Sequence, residues 1–96
     1  MKKRGTPVGP GSWKVYILRC KDGSFYTGIT NDLNRRLKRH RDGRGSRYTR
    51  GRRPLKIVFH ETCADRSEAS KRESAVKALS RREKERLIGR NKGPVT

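Results

Sequence analysis

Acidic residues are scarce in this chain. Nine Asp and Glu stand against 27 Lys and Arg over 96 residues, a formal charge of +18. Such an excess repels itself in a compact state, so a polyanionic partner is implied. Long apolar runs are also missing. The longest, Val15 to Leu18, is strand-sized. A membrane surface is the second candidate partner, but it needs an apolar span or a basic helix with a bulky apolar face. No span exists, and the charge pattern favours nucleic acid. Cysteine is limited to Cys20 and Cys63, with no Cys-x-x-Cys and no paired His spacing. Two thiols cannot make a zinc site alone, so both read as free thiols in or near the core. No apolar segment follows Met-Lys-Lys-Arg at the start. A secretory signal is therefore not expected, and the expected location is cytoplasmic, with nucleoid association open.

Hydrophobic residues make up only 29% of the chain, so the core must be small and the stability margin modest. They are clustered rather than diluted, which argues for a compact centre with charged ends and against disorder. The length allows one domain, and no internal repeat is present. Residues 1–12 read as a flexible basic arm, 13–88 as the folded unit and 89–96 as a flexible tail.

The stretch Trp13 to Arg19 carries apolar residues on both faces, as a central strand covered on two sides would. Lys21-Asp22-Gly23 signals a turn, and Ser24 to Gly28 is the returning strand. Thr30 or Asn31 is expected to cap a helix over Asp32 to Arg41. Leu33 and Leu37 are its buried stripe and Gly43 its stop. Asp42 to Pro54 reads as a loop, and Leu55 to Glu61 as a third strand. Asp65 with Glu68, and Ser80 with Glu83, are capping-box patterns that start two more helices. The second of these is expected to end at Ile88, with Gly89 as its stop. The order β-β-α-β-α-α predicts an α+β fold: a small, three-stranded, mostly antiparallel sheet flanked by helices.

Three features point to chemistry. On a helical wheel started at Ala69, Val76 falls at about 340°, Leu79 at about 280° and Glu73 at about 40°. Glu73 thus sits at the rim of the apolar stripe, where a carboxylate needs a metal or a partner; the alternative is a simple pair with Lys77. Tyr16 and Tyr26 lie mid-strand in one hairpin. A two-residue turn at Asp22-Gly23 puts them on opposite faces, and a three-residue turn with Gly23 left-handed puts them on one face. Arg36 and His40 flank the Leu33/Leu37 stripe about 60° around the helix; alone they read as a solvated basic face.

Val15-Tyr16-Ile17, then Tyr26-Thr27-Gly28, then Asn31-Asp32-Leu33-Asn34-Arg35-Arg36-Leu37 with His40, then Glu73 with Val76-Lys77, together resemble the signature of the GIY-YIG nucleases. The wider run, with Gly45-Ser46-Arg47-Tyr48-Thr49, Arg53-Pro54 and Asp65-Arg66-Ser67-Glu68-Ala69, is similar to the small bacterial single-domain proteins of that kind grouped as UPF0213. Their relatives include the nuclease domain of the excision-repair subunit that makes the 3′ incision. The likeness spans about Trp13 to Ile88. Lys14 stands where the family has Gly and Thr27 where it has Ile; neither position supplies a reacting group.

The resemblance implies the GIY-YIG fold and a metal-dependent endonuclease that hydrolyses DNA phosphodiester bonds, in repair or processing, with one Mg²⁺ or Mn²⁺ ion. Tyr16 would be the general base, Arg36 would bind the scissile phosphate and Glu73 would hold the metal. Tyr26 would orient the nucleophile or a phosphate oxygen, with His40 and Lys77 assisting. A shared site for Tyr16 and Tyr26 requires the three-residue turn, with Gly23 at positive φ and Cys20 opposite Ser24. A free Tyr, with a pKa of about 10, is a poor base unless cations stabilise its phenolate. The abundant basic residues are expected to do so. Arg offers a planar fork to a phosphate in flight, and a single carboxylate suits Mg²⁺, which keeps most of its waters.

Arg35, Arg39, Arg44, Arg47, Arg50, Arg52 and Arg53, with Tyr48 among them, are candidate nucleic-acid contacts. The loop reads either as a phosphate-tracking wall with one stacking aromatic or as a disordered basic loop adding sequence-blind affinity. The expected partner is DNA, single-stranded or branched, bound by a monomer, with RNA and a helper protein left open. The rival reading is a non-catalytic DNA- or RNA-binding module on the same fold.

Overall fold

The structure is a computed structural model that describes residues 12–92. Residues 1–11 of the expected arm lie outside the described residues, as do residues 93–96 of the expected tail. The elements are β1 (Trp13–Cys20), β2 (Phe25–Thr30), α1 (Leu33–Arg41), α2 (Arg47–Arg50), β3 (Leu55–Cys63), α3 (Arg66–Lys77) and α4 (Arg81–Lys92). The sheet order is β2-β1-β3 and both pairings are antiparallel. Strand β1 is central, and both of its faces are buried, as its two-sided apolar pattern requires. Among the described residues no helix is long and apolar enough to cross a membrane.

The β1–β2 hairpin turns through three residues. The Cys20 N–H donates to Ser24 O at 2.9 Å, and Gly23 sits at φ +86°. Only glycine adopts that conformation without a Cβ penalty. The register that follows pairs Tyr16 with Gly28 and Leu18 with Tyr26, which puts both tyrosines on one face. Asp22 in the turn accepts from the Ser24 backbone and hydroxyl and from Arg52 Nε. The hairpin end is thereby tied to the chain before β3.

Val15 and Ile17 point from β1 into the apolar core with Phe59, Cys63, Ala69, Val76 and Ile88. A bulge in β3 lets that strand serve both layers. Ile17 pairs with Phe59 but Leu18 pairs with Ile57, which leaves Val58 as the extra residue. Val58 and Phe59 then both pack on the α3/α4 core. Leu55 and Ile57 stay opposite Cys20 and Leu18.

Several expected details are corrected. The N-cap of α1 is Asp32, whose side chain accepts from the Arg35 N–H, rather than Thr30 or Asn31; Thr30 instead accepts from the Asp32 N–H and stiffens the approach. The fully buried residue of α1 is His40, while Leu33 and Leu37 are only half-buried. Gly43, at φ +81°, does end this helix region. The 42–54 segment is not all loop, since Ser46 caps the single turn α2 by accepting from the Thr49 N–H. Asp65 caps α3, and Ser80 and Glu83 form a reciprocal capping box at α4. Helix α4 runs through Gly89 to Lys92. Gly89 does not take the left-handed conformation of a stop, and a glycine inside a helix costs only about 1 kcal/mol.

Candidate active site

Tyr16 sits at the middle of the central strand and is 1% exposed. Its hydroxyl passes over Gly28 of β2, where a Cβ would lie 2.6 Å from the oxygen. A side chain at Gly28 would therefore displace it. The hydroxyl ends 3.0 Å from His40 Nε2. His40 reaches it from the last turn of α1, also 1% exposed. Tyr26 closes the triangle: its ring centroid is 6.4 Å from that of Tyr16 and 5.3 Å from that of His40. Tyr48, at 6.0 Å from Tyr26, extends the aromatic row to the surface, and the Arg52 guanidinium covers it at 3.9 Å.

Arg36 is half-buried one turn before His40, so both occupy the same side of α1. Its charge acts on both Tyr16 and His40. Glu73, on α3, has a side chain 21% exposed and pairs with Lys77 at 3.3 Å. Its negative charge is also felt at the Tyr16 hydroxyl. Tyr16, Tyr26 and His40 are thus in mutual contact, Arg36 and Glu73 act on the Tyr16 hydroxyl through charge, and Lys77 is paired with Glu73. The helical position of Glu73, beside the buried Ala69 and Val76, agrees with the rim placement read from the sequence.

The electrostatics differ from the expected cation-stabilised phenolate. Burial pushes the Tyr16 hydroxyl well above its ordinary range, and Tyr26 and Glu73 add to that effect. Arg36 opposes it and loses. Among the described residues Arg36 is the one cation whose charge lowers the Tyr16 value. Burial, then Arg36 and Arg39, depress His40 below its usual value. At neutral pH the pair is a protonated tyrosine beside a neutral imidazole, and the tautomer of His40 decides which of the two donates.

Glu73 is the residue expected to hold the metal. Among the described residues no group of three or more His, Cys, Asp or Glu could hold an ion. One partly exposed carboxylate fits Mg²⁺, which keeps its waters and borrows substrate oxygens. It does not fit an ion that needs a full protein cage.

The expected nucleic-acid residues divide. Arg35, Arg36 and Arg39, with Thr30, Asn31 and Asp32, line a cleft of about 280 Å³ on one side of α1. Arg44, Arg47 and Arg50 are exposed around α2. Arg52 and Arg53 also hold the segment together. Arg52 donates to Asp22 and to Tyr48 O, and Arg53 donates to Arg50 O and Arg41 O. Sequence reasoning missed Thr49 as a site residue. It is 0% exposed, and its hydroxyl lies 2.9 Å from His40 Nδ1. The Ser46-x-x-Thr49 spacing, a short N-cap pattern, was the available signal.

Residues 12–86 match the GIY-YIG catalytic domain. A UPF0213 protein of Desulfotalea psychrophila is 54% identical over 78 residues, which cover 80% of this chain and 71% of that one. A UPF0213 protein of Halalkalibacterium halodurans is 51% identical over 80 residues, covering 83% and 85%. The solution structure of a UPF0213 protein from Bacillus halodurans superposes with a TM-score of 0.58 at 49% identity, over 88% of this chain and 89% of that one. A solution structure of an E. faecalis protein gives 0.57 at 43% identity, over 80% and 82%.

Proposed function

The chain belongs to the GIY-YIG catalytic domain family, among its UPF0213 members, and on that premise we propose that it is a metal-dependent endonuclease hydrolysing DNA phosphodiester bonds in repair or processing. The observation that carries this reading is the buried Tyr16–His40 hydrogen bond, with the charges of Arg36 and Glu73 acting on the same hydroxyl.

In the proposed step a water oxygen attacks phosphorus, and the bond to the leaving sugar oxygen breaks. The water proton passes to the Tyr16 oxygen while the Tyr16 proton passes to His40 Nε2. No free phenolate has to form, which suits a tyrosine that burial keeps protonated. The leaving oxygen takes a proton from solvent. An arriving phosphate carries negative charge toward Arg36 and Arg39, the two cations that depress His40. The imidazole therefore becomes a stronger base when substrate is bound. Arg36 clamps the phosphate oxygens and opposes their growing charge. Tyr26, packed against both Tyr16 and His40, orients the water or a phosphate oxygen. A Mg²⁺ or Mn²⁺ ion on Glu73 would supply Lewis-acid stabilisation of the phosphate, with Lys77 holding the carboxylate until the ion binds. Arg35, Arg39, Arg44, Arg47 and Arg50, with Tyr48 as a stacking surface, track the flanking strand.

The test is incubation of the purified protein with labelled single-stranded, duplex and branched DNA in Mg²⁺ or Mn²⁺. Cleavage of at least one substrate, stopped by a chelator, is the expected result. Binding of DNA with no cleavage of any substrate in either metal overturns the hydrolytic reading in favour of a non-catalytic module. Tighter binding to RNA than to DNA moves the partner class.

A further inference from the structure

The segment after α1 is shaped around His40. Both ring nitrogens of this buried histidine are engaged: Nε2 with the Tyr16 hydroxyl at 3.0 Å and Nδ1 with Thr49 Oγ1 at 2.9 Å. The direction of these bonds follows from the other neighbours of Thr49. Its Oγ1 lies 3.2 Å from the Ser46 backbone oxygen, which can only accept. Ser46 O also accepts from the Arg50 N–H at 3.1 Å, and its second lone pair faces the Thr49 hydroxyl proton. The Ser46 hydroxyl accepts from the Thr49 N–H and lies 3.2 Å from Thr49 Oγ1, so its own proton is free to point there. With its proton spent, the Thr49 oxygen accepts from His40. Nδ1 then carries the hydrogen and Nε2 keeps a bare lone pair facing Tyr16. Gly45 gives an independent sign of the same fit. A Cβ there would overlap His40 Nδ1 and crowd Cε1 and Cγ, so the edge of the imidazole rests on the Gly45 backbone.

The remaining groups facing His40 cannot set its tautomer. Tyr16 from β1 donates or accepts equally well, and Tyr26 from β2 meets the imidazole as an edge-on ring. Arg36 and Arg39 of α1 act only through charge, which disfavours the imidazolium without choosing between nitrogens. The α2 segment brings the hydroxyls of Ser46 and Thr49.

We propose that Gly45 and Thr49 are positioning residues that fix neutral His40 as the Nδ1–H form and aim its free Nε2 at the Tyr16 hydroxyl, so that the Tyr16 proton has one direction to go. The catalytic consequence rests on the hydrolytic reading above; the tautomer does not.

The test is ¹⁵N NMR of histidine-labelled full-length protein at neutral pH, read beside cleavage kinetics. Wild type should show His40 protonated at Nδ1. Thr49→Val, which keeps the shape and removes the hydroxyl, should shift His40 toward Nε2–H. It should lower kcat by about 10-fold or more with KM nearly unchanged, and Thr49→Ser should restore both readouts. Gly45→Ala keeps every hydroxyl yet displaces the ring, so it should lower kcat alike; it serves if Thr49→Val does not fold. Wild-type His40 protonated at Nε2 overturns the proposal. An altered tautomer with unaltered kcat overturns the positioning role. A wild type that cuts nothing, yet shows the Nδ1–H form lost in Thr49→Val, sinks the nuclease reading and leaves the His40 cradle standing.

Discussion

β1 sends alternate side chains to two unlike places. Val15 and Ile17 meet Phe59, Ala69, Val76 and Ile88 on one face of the sheet. Tyr16, on the other, meets His40, which meets Thr49 in turn. Both faces are closed to solvent, but the rules of closure differ. On the apolar face burial has no direction, and residues of similar volume can exchange at small cost. On the polar face each donor and acceptor must find its partner, because an unmet one costs about 1–3 kcal/mol. The polar face also needs room for ring atoms, which Gly28 and Gly45 provide. Stability and chemistry are thus assigned to opposite sides of one strand.

The largest effect on activity is expected at Glu73, which stands on α3 at the rim of the apolar core. Glu73→Gln should abolish cleavage while DNA affinity stays the same or rises slightly, since a negative charge near phosphate is lost. The fold should lose at most a few tenths of a kcal/mol with the Lys77 pair. Persistent metal-dependent cleavage by this variant would falsify the assignment of Glu73 as the metal ligand.

A pair of neighbours on β1 probes the division most directly. Tyr16→Phe should reduce kcat by about 10²- to 10⁴-fold and cost about 1–3 kcal/mol in stability, the penalty of an orphaned His40 nitrogen. Ile17→Ala should cost about 2–5 kcal/mol, read from urea midpoints, and leave kcat of the folded fraction close to wild type. Equal damage to activity from both would break the two-face picture.

On the polar face pH should act through His40. The folded state holds His40 below its ordinary value, while the unfolded chain takes a proton there at about pH 6.5. Between those two values the unfolded state binds more protons, so this contribution to stability is intact above about pH 6.5 and lost as pH falls through the depressed folded value. Urea midpoints measured from about pH 8 down to about pH 5 should show this loss, and His40→Gln should flatten it. A profile unchanged by His40→Gln would show that other groups set the acid limit.

The smallest effect lies at the end of α4, behind the apolar face. Gly89 is helical and a Cβ there would meet nothing within 4 Å. Gly89→Ala should raise stability by about 0.5–1 kcal/mol without changing cleavage. A loss of stability would mean that the glycine ends the helix in solution after all.

The sequence by itself determined the elements whose cause is local. Two-sided apolarity placed β1 at the centre of the sheet. Asp65 and the Ser80–Glu83 box marked the starts of α3 and α4, and helical spacing set Glu73 beside the apolar stripe. Ordered motifs indicated the family, and the need for a shared tyrosine site chose the three-residue turn that Gly23 makes. Tertiary structure decided what depends on residues remote in the chain. On α1, two leucines advertise a buried stripe, yet the fully buried residue is His40. Its place is made by Tyr16, 24 residues before it, and Thr49, 9 residues after it. Helical periodicity registers apolar side chains and is blind to a polar one whose burial is compensated by hydrogen bonds from elsewhere. The same blindness hid Thr49 inside what reads as a basic loop. It also reversed the expectation for Tyr16, whose protonation is governed by the depth at which the sheet and α1 bury it, and not by the number of cations in the sequence.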